Sequence, residues 1–460
     1  VTPTAPPDQL DSVHRRREQR AWYFYDWANS AYVTTTLTAL YGPYLTVVAK
    51  RAACPGQSTD LQCSTNLHVL GVPVNPGSLA LYAVTAATLL SAVLLPVVGA
   101  VVDRSGHKRT MLAGFAWAGA VAASAMFAVQ GSGWQLGVAL QLFASLALGC
   151  SLVVYDSILC DIATPDERDR VSSRGWAIGY LGGGLLLALN LGMVTAHDTL
   201  GLDKESAVRL SLLTAGLWWG VFTLVPFVGL RDRPPVAPDP AVGGNPFLAS
   251  FGQLVRTLRG LRSYPQTALF LLAYLFFNDG VQTVIYAASI FGQEELGLEA
   301  SQLMITILLV QFVAFFGALA FGRAAVRVGA RRAVLASLVL WCLVVAAGYV
   351  VPARQFAVFL ALATLIGLVL GGTQALSRSL YSQLVPRGRE AEYFSLYQAA
   401  ERGTSWVGTL LFGFLFQVSG SYRTAIVALV VFFVVGGVLL ARVDVPRGIR
   451  EAGNRVPQVV

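Results

Sequence analysis

Gly99-Ala-Val-Val-Asp103-Arg104-Ser-Gly106-His-Lys108-Arg109 and Gly322-Arg-Ala-Ala-Val326-Arg327-Val-Gly329-Ala-Arg331-Arg332 are two copies of one pattern, G-x-x-x-[D/V]-R-x-G-x-[K/R]-R. Each copy closes one apolar run and opens the next. Gly99 permits close helix approach, Gly106 a tight turn, and Lys108 and Arg109 hold the loop on one side of a bilayer. A second correspondence supports duplication: Asp26-x-x-Asn29-Ser30 in the first apolar run matches Asp279-x-x-Gln282-Thr283 in the seventh. Val326 stands where the first copy has its acid, so the second loop is expected to lack whatever Asp103 does.

Composition names the solvent around this repeat. Of 460 residues, 55% are hydrophobic and 13% charged, and the mean hydropathy is +0.60. A soluble domain carries about 25% charged residues, so this chain could not cover a water-facing surface. A hydrocarbon core about 30 Å thick takes roughly 20 apolar residues per helix. Such runs lie at about 22–48, 78–102, 110–130, 135–163, 175–196, 208–230, 266–291, 301–322, 333–351, 355–385, 393–417 and 423–442. The fold class is therefore an all-α membrane protein with about twelve transmembrane helices in two pseudo-symmetric six-helix bundles. The first bundle covers 22–230, a linker 231–265, the second bundle 266–442, with tails at 1–21 and 443–460. Trp22–Val48 is too long for a cleavable signal and lacks a small-residue cleavage site. Pro234, Pro235, Pro238 and Pro240 keep the start of the linker non-helical. Phe247, Phe251, Leu254, Val255, Leu258 and Leu261 then share one helical arc, which predicts an interfacial helix over Pro246–Tyr264 in preference to a solvated linker.

The net charge of +8 does not indicate nucleic acid, because position explains it. The tails and alternate loops, with Arg442 at the end of the last run, hold 25 of the 33 Lys and Arg. The opposite loops hold Lys50, Arg51, Lys204, Arg209, Arg354 and Arg423. Basic loops stay cytoplasmic, so a multi-pass protein of the cell membrane with both termini inside is expected. Cys54 and Cys63 share the first outside loop, either as a disulfide or as two free thiols. Cys150, Cys160 and Cys342 fall in helices as packing residues, and the four histidines fall in loops, so no metal site is expected. Trp22, Trp27, Trp218 and Trp219 read as interfacial anchors. Gly175, Gly179 and Gly183 form a small-residue stripe for close helix packing.

The loop motif resembles signature A of the major facilitator superfamily and stands where that superfamily carries it. Tyr25-Asp26-Trp27-Ala28-Asn29-Ser30-Ala31-Tyr32 is similar to the opening signature of the vacuole-effluxer-like branch, which includes the fungal autophagy-related amino-acid effluxers. Gly175-Trp-Ala-Ile-Gly179-Tyr180-Leu-Gly182-Gly183, Asn278-Asp279-Gly280-Val281-Gln282-Thr283 and Gly371-Gly372-Thr-Gln374-Ala-Leu-Ser377-Arg378-Ser379 resemble its other blocks. Glu392-Tyr393-Phe394-Ser395-Leu396-Tyr397 is similar to E-F-F-G-L-Y, with Ser395 for glycine; Arg402 sits where a basic residue is expected, and Glu401 beside it departs from the pattern. The resemblance implies a gate in which Asp103 engages a neighbouring helix end. Gly99, Arg104, Gly106, Lys108, Arg109 and Arg327 are the other gate candidates from the two loops.

A charge at a helix centre costs at least about 2.5–3.5 kcal/mol, so buried ionisable groups usually face a cavity. The candidates are Asp26, Asp156, Asp161, Asp279, Arg378, Glu401 and Arg402. Asp26 and Asn29 share a helical face with Ser30, as Asp279, Gln282 and Tyr286 do with Thr283, and the first and seventh helices line the central path of facilitators. A cap, or a salt bridge to a loop arginine, is an equal role for Asp26. Gln374, Arg378 and Tyr381 recur at helical spacing in the tenth run, and Asp156 stands at the matching place in the fourth. Arg378 would pair with Asp156 across the cavity or receive a substrate carboxylate. Asp161, Glu401 and Arg402 are nearer the inner ends and read as gate residues, with Arg168 or Arg170 as loop partners.

These readings converge on a secondary transporter that moves a small solute by alternating access, coupled to protons or driven by another gradient. The resemblance suggests an amino acid leaving the cytoplasm; direction is not written in the residues. The partners are a small-molecule substrate, protons and the bilayer, with no cofactor and a monomeric chain. A receptor or sensor on the same fold predicts binding without flux, and a lipid flippase predicts a side opening. No nucleophile–base or metal motif suggests an enzyme, and no G-x-x-x-x-G-K-[ST] loop suggests ATP-driven pumping.

Overall fold

The computed structural model describes residues 12–57, 63–69, 71–234, 257, 259–403 and 405–460. The expected interfacial helix over 246–264 lies mostly outside these residues. Among the described residues, ten helices are long and apolar enough to cross a membrane: Pro76–Ser105, Lys108–Ala128, Trp134–Ile162, Arg168–Thr195, Lys204–Gly229, Pro265–Glu295, Ser301–Val328, Ala330–Val350, Phe356–Leu384 and Tyr422–Arg442. They are the second to sixth, seventh to tenth and twelfth of the expected spans. The first and eleventh spans are also helical, but more polar. The first runs through Ser12–Ala31, a π-helical stretch Tyr32–Leu40, and Tyr41–Ala53. Tyr41 N–H donates to the Thr36 carbonyl five residues back, a wide turn that recurs at functional sites. The eleventh consists of Glu390–Gly403 and Ser405–Ser419. Its first segment carries Glu390, Glu392, Glu401 and Arg402, too many charges for a span facing only lipid.

Each half packs around its own apolar cluster, one centred on Tyr25, Leu45, Val153, Tyr155 and Trp219 and the other on Phe270, Tyr274, Trp341 and Tyr381. In the first half, span one packs on span five, and span four on spans two and three. In the second half, span eight packs on span ten, and span seven on span twelve. The halves meet where span five packs on spans eight and ten, and where the first segment of span eleven packs on spans two and four. The second segment of span eleven turns instead to span seven and to Tyr422–Ala428 of its own half. The halves are thus joined at the end that carries the basic loops. The chain's last residues lie across that seam: Asn454 donates to the Gln383 and Val385 carbonyls, and Gln458 N–H donates to Asp166 Oδ1.

At the opposite end, Cys54 and Cys63 are joined by a disulfide. A short antiparallel hairpin, Leu67–Val69 with Val72–Val74, follows; its strands are too short to stand out in the sequence. The tryptophan reading needs correction. Trp22 and Trp219 are wholly buried, stacked on Tyr155 and Tyr32 respectively. Trp27 and Trp218, partly exposed, stack on each other. In a twelve-helix chain, ring size at a span end does not distinguish an interfacial anchor from an inter-helix wedge.

Close approach of spans eight and ten depends on Gly371, where a Cβ would overlap the Ala314 carbonyl. Gly371→Ala is expected to destabilise the protein by about 1–3 kcal/mol, the usual range for overpacking. Gly114→Ala, where a Cβ would meet nothing within 4 Å, should be neutral. Thermal melting of both variants in detergent checks the contrast; equal midpoints would remove the close-packing argument.

Candidate functional site

Arg378, on span ten, is buried at the junction of the halves, and its donors are taken by the first half. Its terminal nitrogens reach Asp26 Oδ2 at 3.1 Å and Asp156 Oδ1 at 3.4 Å. Nε donates to Ser172 Oγ at 3.0 Å and a terminal nitrogen to the Ser172 carbonyl at 3.1 Å. The guanidinium is walled by rings, 4.7 Å above Trp22, 5.3 Å from Tyr155 and 5.3 Å from Trp176. Tyr155 OH donates to Asp26 Oδ2 at 2.6 Å. Gln398 Nε2, on span eleven, donates to Asp156 Oδ2 at 2.8 Å and to Glu401 Oε2 at 3.2 Å, and Arg402 Nε reaches Gln398 Oε1 at 3.4 Å.

The local sequence makes room for this cluster. Gly175 lies against Asp26, Trp22 and Arg378, and a Cβ there would overlap the Asp26 carboxylate. Gly179 and Gly183 admit Ser30 and Thr34 from span one in the same way. The small-residue stripe is therefore packing, and through Gly175 it also seats the ion pair. Desolvating ions costs several kcal/mol each, and removing one partner of a buried pair typically costs about 3–5 kcal/mol. The cluster is stable only while both halves are in contact.

Other candidates lie elsewhere. Asp279 does not join the Arg378 cluster; its Oδ2 accepts from Gly408 N–H at 2.9 Å and so ties span seven to span eleven within the second half. Asn29 turns back on its own helix, donating to the Tyr25 carbonyl, and Gln374 donates to Asn278 Oδ1 within the second half. Gln282 is half-buried and Tyr286 exposed, neither in contact with the cluster. The one shared face expected of spans one and seven is thus split. Asp26 pairs with a span arginine, not a loop arginine.

Asp103 makes the second contact between halves. Its Oδ1 accepts from Ala391 N–H at 2.9 Å and its Oδ2 from Glu392 N–H at 2.8 Å, capping span eleven from span two. Gly99 is indispensable to this approach, since a Cβ would overlap the Ala391 carbonyl, and Gly106 closes span two with φ +65°. Lys108 pairs with Asp161 at 2.9 Å and lies 3.8 Å from Glu390. The partner of Asp161 is therefore Lys108, whereas Arg168 donates to the Ser382 carbonyl at 2.6 Å and Arg170 lies 3.7 Å from Glu167. The shift in partners arises because Lys108 begins a span that packs on span four. Arg109 stays in its own half, on Asp232 at 3.4 Å and over Phe227. Arg104 borders the same turn. In the second copy Val326 is exposed and has no oxygen to receive a backbone N–H as Asp103 does, and Arg327 lines a cavity with Arg323. Beside the seam, burial would raise the Glu167 carboxyl, but the Thr164 N–H and Arg15 outweigh it and hold it below the usual carboxylate range.

Sequence reasoning missed Tyr155, Ser172, Trp176 and Gln398. Tyr155 adjoins Asp156, and Gln398 lies four residues before Arg402, a helical turn that marks it in retrospect. Ser172 lies in what reads as a loop and carries no signal.

A buried arginine and a capping aspartate thus help to join two six-helix halves. The family profile described as vacuole effluxer Atg22 like matches residues 14–453. The chain belongs to that family. It is 31% identical over 432 residues to the uncharacterized MFS-type transporter YxiO of Bacillus subtilis, covering 92% of this chain and 94% of the relative. Autophagy-related protein 22-1 of Penicillium rubens is 25% identical over 562 residues, covering 98% and 93%. The fold is similar to that of the human organic anion transporter MFSD10, with a TM-score of 0.69 at 17% identity, over 93% of this chain and 99% of that one. This member of the Atg22-like family is a multi-pass membrane transporter of the major facilitator type, a family of transporters and not of enzymes.

Asp103→Asn replaces one of two acceptors by a donor facing an N–H. The closed basic end should weaken by about 1–3 kcal/mol, the cost of an unmade buried hydrogen bond. Thiol labelling of a cysteine placed at the basic mouth should rise roughly tenfold; unchanged labelling would remove Asp103 from the gate.

Proposed function

We propose that this transporter exports a small zwitterionic solute, of the amino-acid class, by alternating access coupled to protons. The basic end is the cytoplasmic end, as the distribution of lysine and arginine requires. Both termini lie there. The observation that carries the reading is that Arg378 of the second half is neutralised by Asp26 and Asp156 of the first.

When the basic end opens, those charges part. Arg378 then offers a planar fork suited to a carboxylate, and Asp26 and Asp156 offer acceptors suited to an ammonium. A solute carrying both groups replaces the lost pairing, and no solute of one charge does. A proton on a released carboxylate is the other way to keep the site neutral. Export follows the family description, which is that of an effluxer. The chemistry of the cluster supports the class of solute.

Flux of amino acids and related solutes in proteoliposomes under an imposed pH gradient tests the reading. Arg378→Gln and Asp156→Asn are each expected to lower flux by about 100-fold or more, as loss of a buried charge partner implies. Asp103→Asn should alter the rate without abolishing it. Wild-type flux in Arg378→Gln would end the proposal. Saturable binding without flux would make the protein a receptor, and movement of lipid analogues alone a flippase.

A further inference from the structure

The transport reading leaves four arginines unused. Arg170 and Arg174 on span five face Arg323 and Arg327 on span eight around a cavity of about 290 Å³, with Ser173 and Gly322 in its wall. The cavity lies at the basic end, on the seam between the halves and away from the Arg378 cluster. Gly322 brings the two spans together, since a Cβ there would overlap the Ser173 side chain.

The charge balance of this cavity is one-sided. Among the described residues, the ion pair made by the four is Arg170 with Glu167 at 3.7 Å, and Glu167 is already held by Arg15 at 3.0 Å. Asp169, on the same turn, is taken up by Ser379 Oγ at 2.7 Å. Arg323 donates to the Leu319 carbonyl of its own helix. Ser173 is 2% exposed, and its hydroxyl has no hydrogen-bond partner among the described residues. Four like charges and an unsatisfied buried hydroxyl around one cavity call for an anion rich in acceptor oxygens.

The surroundings specify which anion. Val326 and Val328, 49% and 42% exposed, flank the arginines on the outer surface of span eight. A ligand that seats a negative head among the arginines and lays an apolar tail along these valines matches both surfaces. Basic pockets between transmembrane helices on the cytoplasmic side bind such head groups.

We propose that the cavity between spans five and eight binds the phosphodiester head of an anionic phospholipid. Two of its arginines belong to each half, so the bound head draws the halves together and favours the state closed at the basic end. This site stands independently of the solute reading, and its test needs no flux.

The test uses the full chain purified in neutral detergent, with thermal melting and native mass spectrometry as readouts. Short-chain phosphatidylglycerol, phosphatidylcholine of the same chain length and inorganic phosphate are the three probes. Phosphatidylglycerol is expected to raise the melting temperature saturably and to remain bound in the gas phase; the other two are not. Arg323→Gln/Arg327→Gln and, separately, Arg170→Gln/Arg174→Gln should each weaken the phosphatidylglycerol effect at least about tenfold, as loss of two of four cations implies. Arg323→Lys/Arg327→Lys should retain most of it. The two glutamine variants alter different halves, so one decides if the other does not fold. An equal shift with phosphatidylcholine, or wild-type phosphatidylglycerol affinity in a folded glutamine variant, would overturn the site. A full shift with phosphate alone would overturn the lipid as its ligand.

Discussion

A guanidinium can be buried in a membrane protein only where its charge and its donors are met, and Arg378 meets both by borrowing from the other half of the molecule. Asp26, Asp156 and Ser172 come from spans one, four and five, while Arg378 comes from span ten. Neither half can bury its own charges alone. That constraint explains the features around it: a glycine at 175 to admit the carboxylate, aromatic walls from Trp22, Tyr155 and Trp176, and Gln398 to complete the second acid. It also makes association of the halves conditional, because the same pairing that stabilises contact leaves several unmet charges whenever contact is lost.

Two of the connections between halves differ in physical kind. At Arg378 the contact is ionic and deeply enclosed, and it is sensitive to any ligand that offers competing charge. At Asp103 it is directional, two backbone N–H groups of span eleven received by one carboxylate of span two. The first is suited to exchange of partners, the second to opening and closing with no exchange. Duplication of the loop without its acid at Val326 leaves the molecule with one such clasp and an open, arginine-lined seam on the other side.

The span pattern and the duplicated halves were legible because both are periodic over many residues. Apolar runs repeat at bilayer length, and the G-x-x-x-[D/V]-R-x-G motif marks equivalent turns. Asp156 and Arg378 were legible as a pair from their equivalent positions in the two halves. The contact of Asp279 with span eleven was not legible, because helical spacing reports which face a residue occupies and not what that face meets; here it meets the Gly408 N–H. Ser172, Trp22 and the Lys108–Asp161 pair depend on how helices distant in sequence are rotated against each other. That information is distributed over the whole packing arrangement and resides in no single motif.

Span eleven carries a mechanical implication. Near its start it is gripped by Asp103 of the opposite half, and further along, at Gly408 N–H, by Asp279 of its own. A member held at both places ties the bundles like a strut. One bundle can rock on the other only by giving up the hydrogen bonds at one of its two fastenings.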